Sequence, residues 1–278
     1  MANGNLLGAY LKNRRTKLDP VLFGLSGSRR RTPGLRREEV AQRANISTTW
    51  YTWLEQGRGG NPSADVLDRI ARALTLTGIE REHLFLVGLG RQPGVRYHGS
   101  DPITPRLQRL LDALTWSPAI VRTPTWDVVA WNRAAAVVLT DYGALPPDQR
   151  NILRMIFSDP RIRSAQPEWE AVARFVVGSF RIDAARAGAD AEIMPLVEEL
   201  CRSSPEFASM WRENDVQTHG EGVKRLNHPV MGPITLEYSA FAVDGRPDLS
   251  LIVYNPATPG DQRLIENLMQ ARPALAAE

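Results

Sequence analysis

The sequence predicts a multidomain protein in which an all-α domain is followed by an α+β domain with an antiparallel sheet. The chain has 278 residues, 43% of them hydrophobic, which is enough for one large domain or two ordinary ones. Apolar residues recur at helical spacing over about the first ninety positions, and strand-like segments follow later. The charge divides in the same way: residues 1–98 hold 16 basic and 8 acidic residues (+8), and the remainder holds 18 and 23 (−5).

The composition excludes several classes of protein. Charged residues make up 23% of the chain, a globular value that suits neither a disordered nor a low-complexity protein. The longest apolar run is far below the roughly twenty residues of a membrane span, and no signal peptide is apparent. A single cysteine, Cys201, and four scattered histidines favour neither a disulfide nor a zinc site. We expect a cytoplasmic protein without a membrane partner.

The first domain is predicted to contain five short helices. The first helix ends before Asp19, and a Gly-, Ser- and Arg-rich stretch that follows is typical of a loop. The next two helices are joined by a tight turn, in which Asn45 tolerates a positive φ and Ser47 caps the following helix. Ser63 caps the fourth helix, which has one apolar stripe. The last four helices are predicted at about 35–44, 48–57, 64–74 and 79–89.

The second domain has a different pattern. Its order, with two strands early, helices in the middle and two or three strands late, favours an antiparallel α+β sheet with helices on one face. The predicted strands span 119–122, 127–131, 234–241 and 249–254. The predicted helices span about 133–139, 167–187, 193–203 and 259–270. We place the first domain at 1–90, a linker at 91–105 and the second domain at 106–278.

A helix-turn-helix motif is predicted in the first domain. Such a motif needs a small residue where the helices cross, a turn residue that accepts positive φ, and a polar exposed face on the second helix. Ala41 and Asn45 meet the first two needs. The block 35–57, with Arg37, Glu38-Glu39 and Val40 before the turn and Glu55-Gln56-Gly57 at the end, resembles the Xre-type helix-turn-helix.

This resemblance implies that double-stranded DNA is a partner. Arg37 would contact a phosphate or a base edge, the threonines would face the major groove, and the other arginines would grip phosphates. Trp53 cannot make a bidentate base contact, so it either packs on the arginine-rich loop or touches thymine methyl groups. The predicted DNA-binding residues are Arg29, Arg30, Arg31, Arg36, Arg37, Thr48, Thr49, Thr52, Trp53 and Arg58.

A wider resemblance covers nearly the whole chain. The segments 30–41 and 49–58, together with 117–119, 126–134, 150–151, 204–207 and 224–232, are similar to the MmyB-like family of bacterial transcription regulators. The resemblance implies an Xre-type DNA-binding domain fused to a PAS-like ligand-binding domain. It also implies a small molecule between the sheet and the helices.

The residues of the second domain support a ligand site only weakly. Five tryptophans, Trp126 among them, would either line a cavity or fill the core, and filling the core is the usual role of any single one. An apolar cavity with an arginine available would suit an amphipathic carboxylate such as a fatty acid. The candidate ligand-binding residues are Arg122, Trp131, Asn132, Arg154, Trp169, Trp211 and His228.

The sequence offers no catalytic residues. It contains no nucleophile elbow, phosphate-binding loop, dinucleotide fingerprint or metallopeptidase motif, and Asp183 and Glu199 are expected to be ordinary surface carboxylates. We therefore expect a regulator rather than an enzyme, with no cofactor or metal. A homodimer is expected, because two-fold DNA half-sites demand one. The alternative is that the second domain is a ligand-free platform for dimerisation or protein interaction.

Overall fold

The computed structural model describes residues 2–25, 33–91, 93, 103–187 and 190–271. The chain forms two compact units, Met1–Pro93 and Gly94–Glu278. The first unit is helical, and the second has helices around a five-stranded antiparallel sheet. The predicted fold class is therefore confirmed. In the part of the chain that the structure describes, no helix is long and apolar enough to cross a membrane.

The first unit contains the five predicted helices and one additional 3₁₀ turn over Pro20–Phe23. Its core is formed by apolar residues from all five helices, including Leu11, Val40 and Leu54, which are almost fully buried. Capping explains where the helices begin, since the side chains of Ser47 and Ser63 accept hydrogen bonds from the first turns that follow them. The helices are α1 Ala2–Lys17, α2 Arg37–Arg43, α3 Thr48–Glu55, α4 Ala64–Ala73 and α5 Gly78–Leu89.

In the described residues of the second unit, a helix is followed by a strand hairpin, a helical middle part, a three-stranded meander and a final helix. The strands are β1 Ala119–Arg122, β2 Val128–Trp131, β3 Glu221–His228, β4 Gly232–Val243 and β5 Arg246–Pro256. The helices are α6 Pro105–Ala113, α7 Arg133–Val138, α8 Ile152–Ser158, α9 Pro160–Ala165, α10 Trp169–Ala187, α11 Asp190–Ser203, α12 Pro205–Arg212 and α13 Pro259–Ala271.

The sheet has the order β2-β1-β5-β4-β3, with antiparallel pairing throughout. This order makes β3 an edge strand. The pairings place Lys224 opposite Leu236 and Tyr238 opposite Tyr254, so the side chains of these neighbouring strands fall into shared rows. The sheet therefore brings together residues that are far apart in the sequence.

The expectation that helices cover only one face of the sheet was wrong. Successive residues of β1 point to opposite faces, and all four are buried. Ile120 packs with Ile252 and residues of α7 and α8, whereas Ala119 and Val121 pack with Leu111 of α6. Helix α6, which the sequence analysis did not predict, therefore covers part of the second face.

Candidate DNA-binding surface and ligand cavity

The turn between α2 and α3 has the predicted geometry. Asn45 has a φ of 52°, and the Ser47 Oγ accepts a hydrogen bond from the Trp50 N–H at 3.1 Å. After α3, Gly57 takes a φ of 72°, the left-handed conformation in which glycine ends helices without strain. The helix is therefore fixed at both ends by its own sequence.

The exposed face of α3 carries the predicted DNA-contacting side chains. Thr48 and Thr49 are exposed at its start, and Trp53 is 50% exposed one turn later. Thr52 is partly buried, and its hydroxyl donates to the Thr48 backbone oxygen at 2.8 Å. Arg58 is exposed just after the helix. The predicted contacts Arg29, Arg30 and Arg31 lie outside the described residues.

Arg37 has a partner inside the protein. Its Nε donates to the Glu55 Oε2 at 2.7 Å, while its side chain stays 40% exposed. Arg15 of α1 donates to the same carboxylate from Nε at 2.6 Å and from Nη2 at 3.1 Å. Arg37 is therefore an ion-pair partner of Glu55. A contact with a phosphate would have to use the other two nitrogens of its guanidinium. Its exposed neighbour Arg36 lies 3.9 Å from the Glu38 carboxylate.

The Glu55 carboxylate stays charged although its side chain is only 1% exposed. Burial alone would raise the pKa of Glu55, but the hydrogen bonds and charges of Arg15 and Arg37 outweigh burial and lower it. Because the three residues belong to α1, α2 and α3, the network fixes the orientation of α3 against its two neighbours. A recognition helix must be held in this way if its exposed face is to read DNA.

A cavity of about 260 Å³ lies in the second unit between α8, α10 and the sheet. Aliphatic and aromatic side chains form most of its wall, and they come from both helices and from the sheet. They are Trp126, Ile152, Ile156, Ala171, Val172, Phe175, Val176, Val223 and Ile252. The remaining lining residues are polar or ionisable: Arg122, His219, Lys224, Tyr238 and Tyr254.

Arg122 contributes a buried charge to the wall and is held by a carboxylate of α10. Its Nη2 and the Trp126 Nε1 both donate to the Asp183 Oδ2 at 2.9 Å, and its guanidinium lies 4.0 Å from the centre of the Trp126 ring. Burial lowers the pKa of Arg122, and the charge of Asp183 opposes this shift. Asp183 therefore holds two cavity-lining side chains, Arg122 and Trp126, in place, contrary to the expectation of an ordinary surface carboxylate.

His219 lies among aromatic rings and is neutral at physiological pH. Its ring stacks on Tyr238 at 4.8 Å between centroids and contacts Trp126 and Phe175, both at 5.7 Å. Burial, with the charge of Arg122, lowers the pKa of His219 to about 4. Burial also raises the pKa of Tyr254 to about 12, so its hydroxyl keeps its proton.

Lys224 is the second cation of the wall and was missed by the sequence analysis. The side-chain amide of Gln166 lies between Lys224 and the backbone of Arg225. With its oxygen towards Lys224, it accepts a hydrogen bond from the Lys224 Nζ at 3.2 Å, and its nitrogen donates to the Arg225 backbone oxygen at 3.2 Å. Burial lowers the pKa of Lys224 to about 8. The signal in the sequence was the alternation of Lys224, Leu226 and His228, which share one face of a strand, but the third late strand that the sequence left open was not placed here.

Two family models match the chain. The model for the MmyB-like transcription regulator ligand binding domain matches residues 103–268, which is more than half of the protein. The chain belongs to the MmyB-like transcription regulator family. A helix-turn-helix domain model matches residues 6–84. No curated protein matches the chain. This member of the MmyB-like family therefore combines a DNA-binding domain with a ligand-binding domain, and it is a ligand-responsive transcription regulator.

Of the seven ligand-binding residues that the sequence analysis named in this MmyB-like regulator, the structure places Arg122 in the wall of the cavity. Asn132 lies elsewhere and caps α7. Its Oδ1 accepts from the backbone N–H groups of Ala119 and Ala135 at 3.0 and 2.9 Å, and its Nδ2 donates to three backbone oxygens. Its polar atoms are therefore satisfied by the protein, which leaves them little to offer a ligand.

The three predicted tryptophans also lie outside the wall. Trp131 packs against the Tyr142 ring, with centroids 5.5 Å apart. Trp169 donates from Nε1 to the Ile156 backbone oxygen at 3.1 Å, and Trp211 stacks on Phe207 with rings 10° from parallel. Trp169 and Trp211 pack against the core cluster that contains Trp126, and Trp131 packs against the cluster that contains Ile252, whereas Trp126 itself reaches the cavity.

The last two predicted polar residues are likewise held by the protein. Arg154 makes two hydrogen bonds with the Glu199 carboxylate, at 2.8 and 2.7 Å, so Glu199 is an ion-pair partner. The His228 Nδ1 accepts from the backbone N–H groups of Val230 and Met231, which stabilises the turn between β3 and β4. Within the described ranges, no group of three His, Cys, Asp or Glu residues is arranged to hold a metal ion.

Proposed function

We propose that the protein is a sequence-specific transcription regulator whose second unit senses a small hydrophobic or amphipathic molecule, with a fatty acid as the first candidate. The observation that carries this proposal is the cavity of about 260 Å³ beside the sheet. Preformed apolar cavities with a few polar groups are the usual form of small-molecule sites in proteins. The cavity also lies within the region that matches the ligand-binding family.

The DNA-reading role rests on α3. Its first turn exposes Thr48 and Thr49, whose hydroxyls are suited to base edges, and exposed Arg58 follows the helix and is suited to a phosphate. We propose that a homodimer presents two such helices to the half-sites of a two-fold operator. The ligand would then favour one dimer geometry over another, since a ligand with equal affinity for both shifts nothing.

Native mass spectrometry of the purified protein, followed by solvent extraction, tests the sensor part of the proposal. We expect an apolar molecule at a stoichiometric level, and we expect adding it to the emptied protein to change the affinity for operator DNA. Val172→Trp, which fills the cavity, should abolish both effects. Ala185→Trp, at an exposed position of the same helix α10, is the matched control and should leave both unchanged.

A different result would overturn the sensor proposal. If the protein is empty, dimeric and able to bind DNA, and if no apolar compound changes that binding, the second unit is an interaction platform. The same conclusion follows if Val172→Trp and Ala185→Trp behave alike with the extracted molecule.

A further inference from the structure

We infer that Lys224 is the head-group residue of the cavity and makes it selective for an amphiphile with a single negative charge, such as a carboxylate, over its neutral counterpart. The inference rests on the proposed function, because it assumes that the cavity holds a ligand. It assigns the head group to a residue of β3 rather than to Arg122, the arginine that the sequence suggested.

The charge of Arg122 is already balanced within the protein. Its Nη2 bonds to the Asp183 carboxylate at 2.9 Å, and the Trp126 Nε1 supports the same oxygen. A ligand carboxylate at Arg122 would therefore have to displace or oppose Asp183. Its remaining donors include the Nε, which is buried and, among the described residues, has no hydrogen-bond partner.

The charge of Lys224 is not balanced. Among the described residues, its hydrogen-bond partner is the neutral amide of Gln166, and no carboxylate forms an ion pair with it. The lining of the cavity, as far as the structure describes it, contains no aspartate or glutamate. A cation in an apolar wall without a counter-ion is costly, and an anionic ligand would remove that cost.

The groups around Lys224 do not supply the missing negative charge. His219, before β3, is neutral because burial lowers its pKa to about 4. Tyr238 of β4 and Tyr254 of β5 keep their protons because burial raises the pKa of both. Asp183 of α10 is paired with Arg122 of β1. The cavity therefore carries one uncompensated positive charge while Lys224 is protonated.

Two unpartnered polar atoms give the head group further places to bind. The Arg122 Nε and the His219 Nδ1 are buried without partners among the described residues, and both residues line the cavity. Buried polar atoms of this kind are rare in folded proteins and mark sites for a ligand or an ordered water. A carboxylate has two oxygens and four lone-pair sites, so it can accept from Lys224 and from one of these groups. An alcohol offers one oxygen and no charge.

The selectivity depends on pH in a defined direction. Since burial lowers the pKa of Lys224 to about 8, the ligand-free protein loses this charge as the pH rises through that value. Above it, carboxylate binding must also draw a proton from solution, and the affinity falls. A neutral ligand is not subject to this effect.

Isothermal titration of the emptied full-length protein with decanoate and with 1-decanol tests the inference. At about pH 6.5 we expect decanoate to bind at least tenfold more tightly than 1-decanol. At about pH 9.5 the decanoate affinity should fall about tenfold or more, while the 1-decanol affinity stays constant.

Lys224→Met should weaken decanoate binding at least tenfold at the lower pH, remove the pH dependence and leave 1-decanol binding intact. Lys224→Arg, which keeps the charge at both pH values, should retain decanoate binding at both.

The possible failures are distinguishable. If both probes bind with equal affinity, and Lys224→Met changes neither, the inference is overturned and the proposed sensor remains. If decanoate binding is lost in Arg122→Gln but not in Lys224→Met, the head group belongs to Arg122 and the inference is again overturned. If neither probe binds at either pH, the proposed amphiphile sensor fails and the inference fails with it.

Discussion

Lys224 has a pKa of about 8 in the folded protein, against an ordinary value of 10.5, because burial penalises its charged form. Between these two values the unfolded chain binds more protons than the folded one, so the free energy of unfolding rises with pH. Below about pH 8 the penalty is fully present. A shift of this size corresponds to roughly 3 kcal/mol, and the bond to Gln166 returns about 1 kcal/mol. The residue is therefore a net cost to the ligand-free fold.

We accordingly predict that Lys224→Met raises the free energy of unfolding by about 1–2 kcal/mol at neutral pH. The difference from the parent protein should shrink as the pH rises towards about 10.5 and close above it, where the parent's lysine is neutral in both states. Urea unfolding followed by circular dichroism at the two pH values measures both quantities. Equal stability of the two proteins at neutral pH would contradict the assignment of a partly buried, uncompensated charge to Lys224.

Glu55 is a contrasting case, because its charge is compensated by two arginines. Its lowered pKa means that it stabilises the fold above the ordinary glutamate pKa, and that this contribution is lost as the pH falls through the lowered value. We predict that Glu55→Gln lowers the free energy of unfolding at neutral pH by about 3 kcal/mol, because it leaves Arg15 buried without a counter-charge. In acid, where the parent's carboxylate is protonated, the two proteins should become equally stable. Thermal unfolding from neutral to acidic pH measures this convergence, and a constant gap would argue against the network.

At the scale of elements, α3 and the residue after it are proposed to make two kinds of DNA contact, one to a base edge and one to a phosphate. Thr49 lies on its exposed face, and Arg58 follows its end. We predict that Thr49→Ala weakens binding to an operator obtained by in vitro selection by about 1–2 kcal/mol and leaves non-specific binding unchanged. Arg58→Ala should weaken both and reduce the slope of log affinity against log salt by about one. Fluorescence anisotropy at several salt concentrations distinguishes them. Identical effects of the two variants would mean that α3 does not lie in the groove as proposed.

The elements also show how far the sequence determines the fold. Four strands, β1, β2, β4 and β5, were predicted because they are rich in apolar residues, which indicates burial. Strand β3 was missed because residues 221–225 are mostly polar or small. Helix α8 was missed because it is short, with seven residues from Ile152 to Ser158 after the capping residue Asn151. Local patterns identify elements that bury an apolar face, and an edge strand or a short capped helix carries too weak a pattern.

The cavity was less predictable than the fold for a related reason. Its wall combines Arg122 and Lys224, which come from opposite ends of the second unit and meet only through sheet pairing. Asn132 was named as a candidate ligand-binding residue, yet it caps α7. Trp126 lies in the turn between β1 and β2 with a φ of 63°, and its side chain reaches the cavity. No local pattern in the sequence predicted this backbone conformation.

At the scale of the whole molecule, the two units divide the work between them. The core of the first unit is complete within residues 1–93, and the wall of the cavity lies entirely within the second. We predict that a fragment of residues 1–93 folds and binds operator DNA more weakly than the full chain, because a single helix-turn-helix reads one half-site. Its affinity should not respond to decanoate.

The full chain and the fragment, titrated on the same DNA with and without decanoate, measure this division. The full chain with Val172→Trp is the matched control, since it keeps both units and blocks the cavity. If the fragment responds to decanoate, the effect does not arise in the cavity. If the fragment is folded but binds no DNA even at low salt, the DNA-binding surface is not complete within the first unit, and residues beyond it must take part in binding.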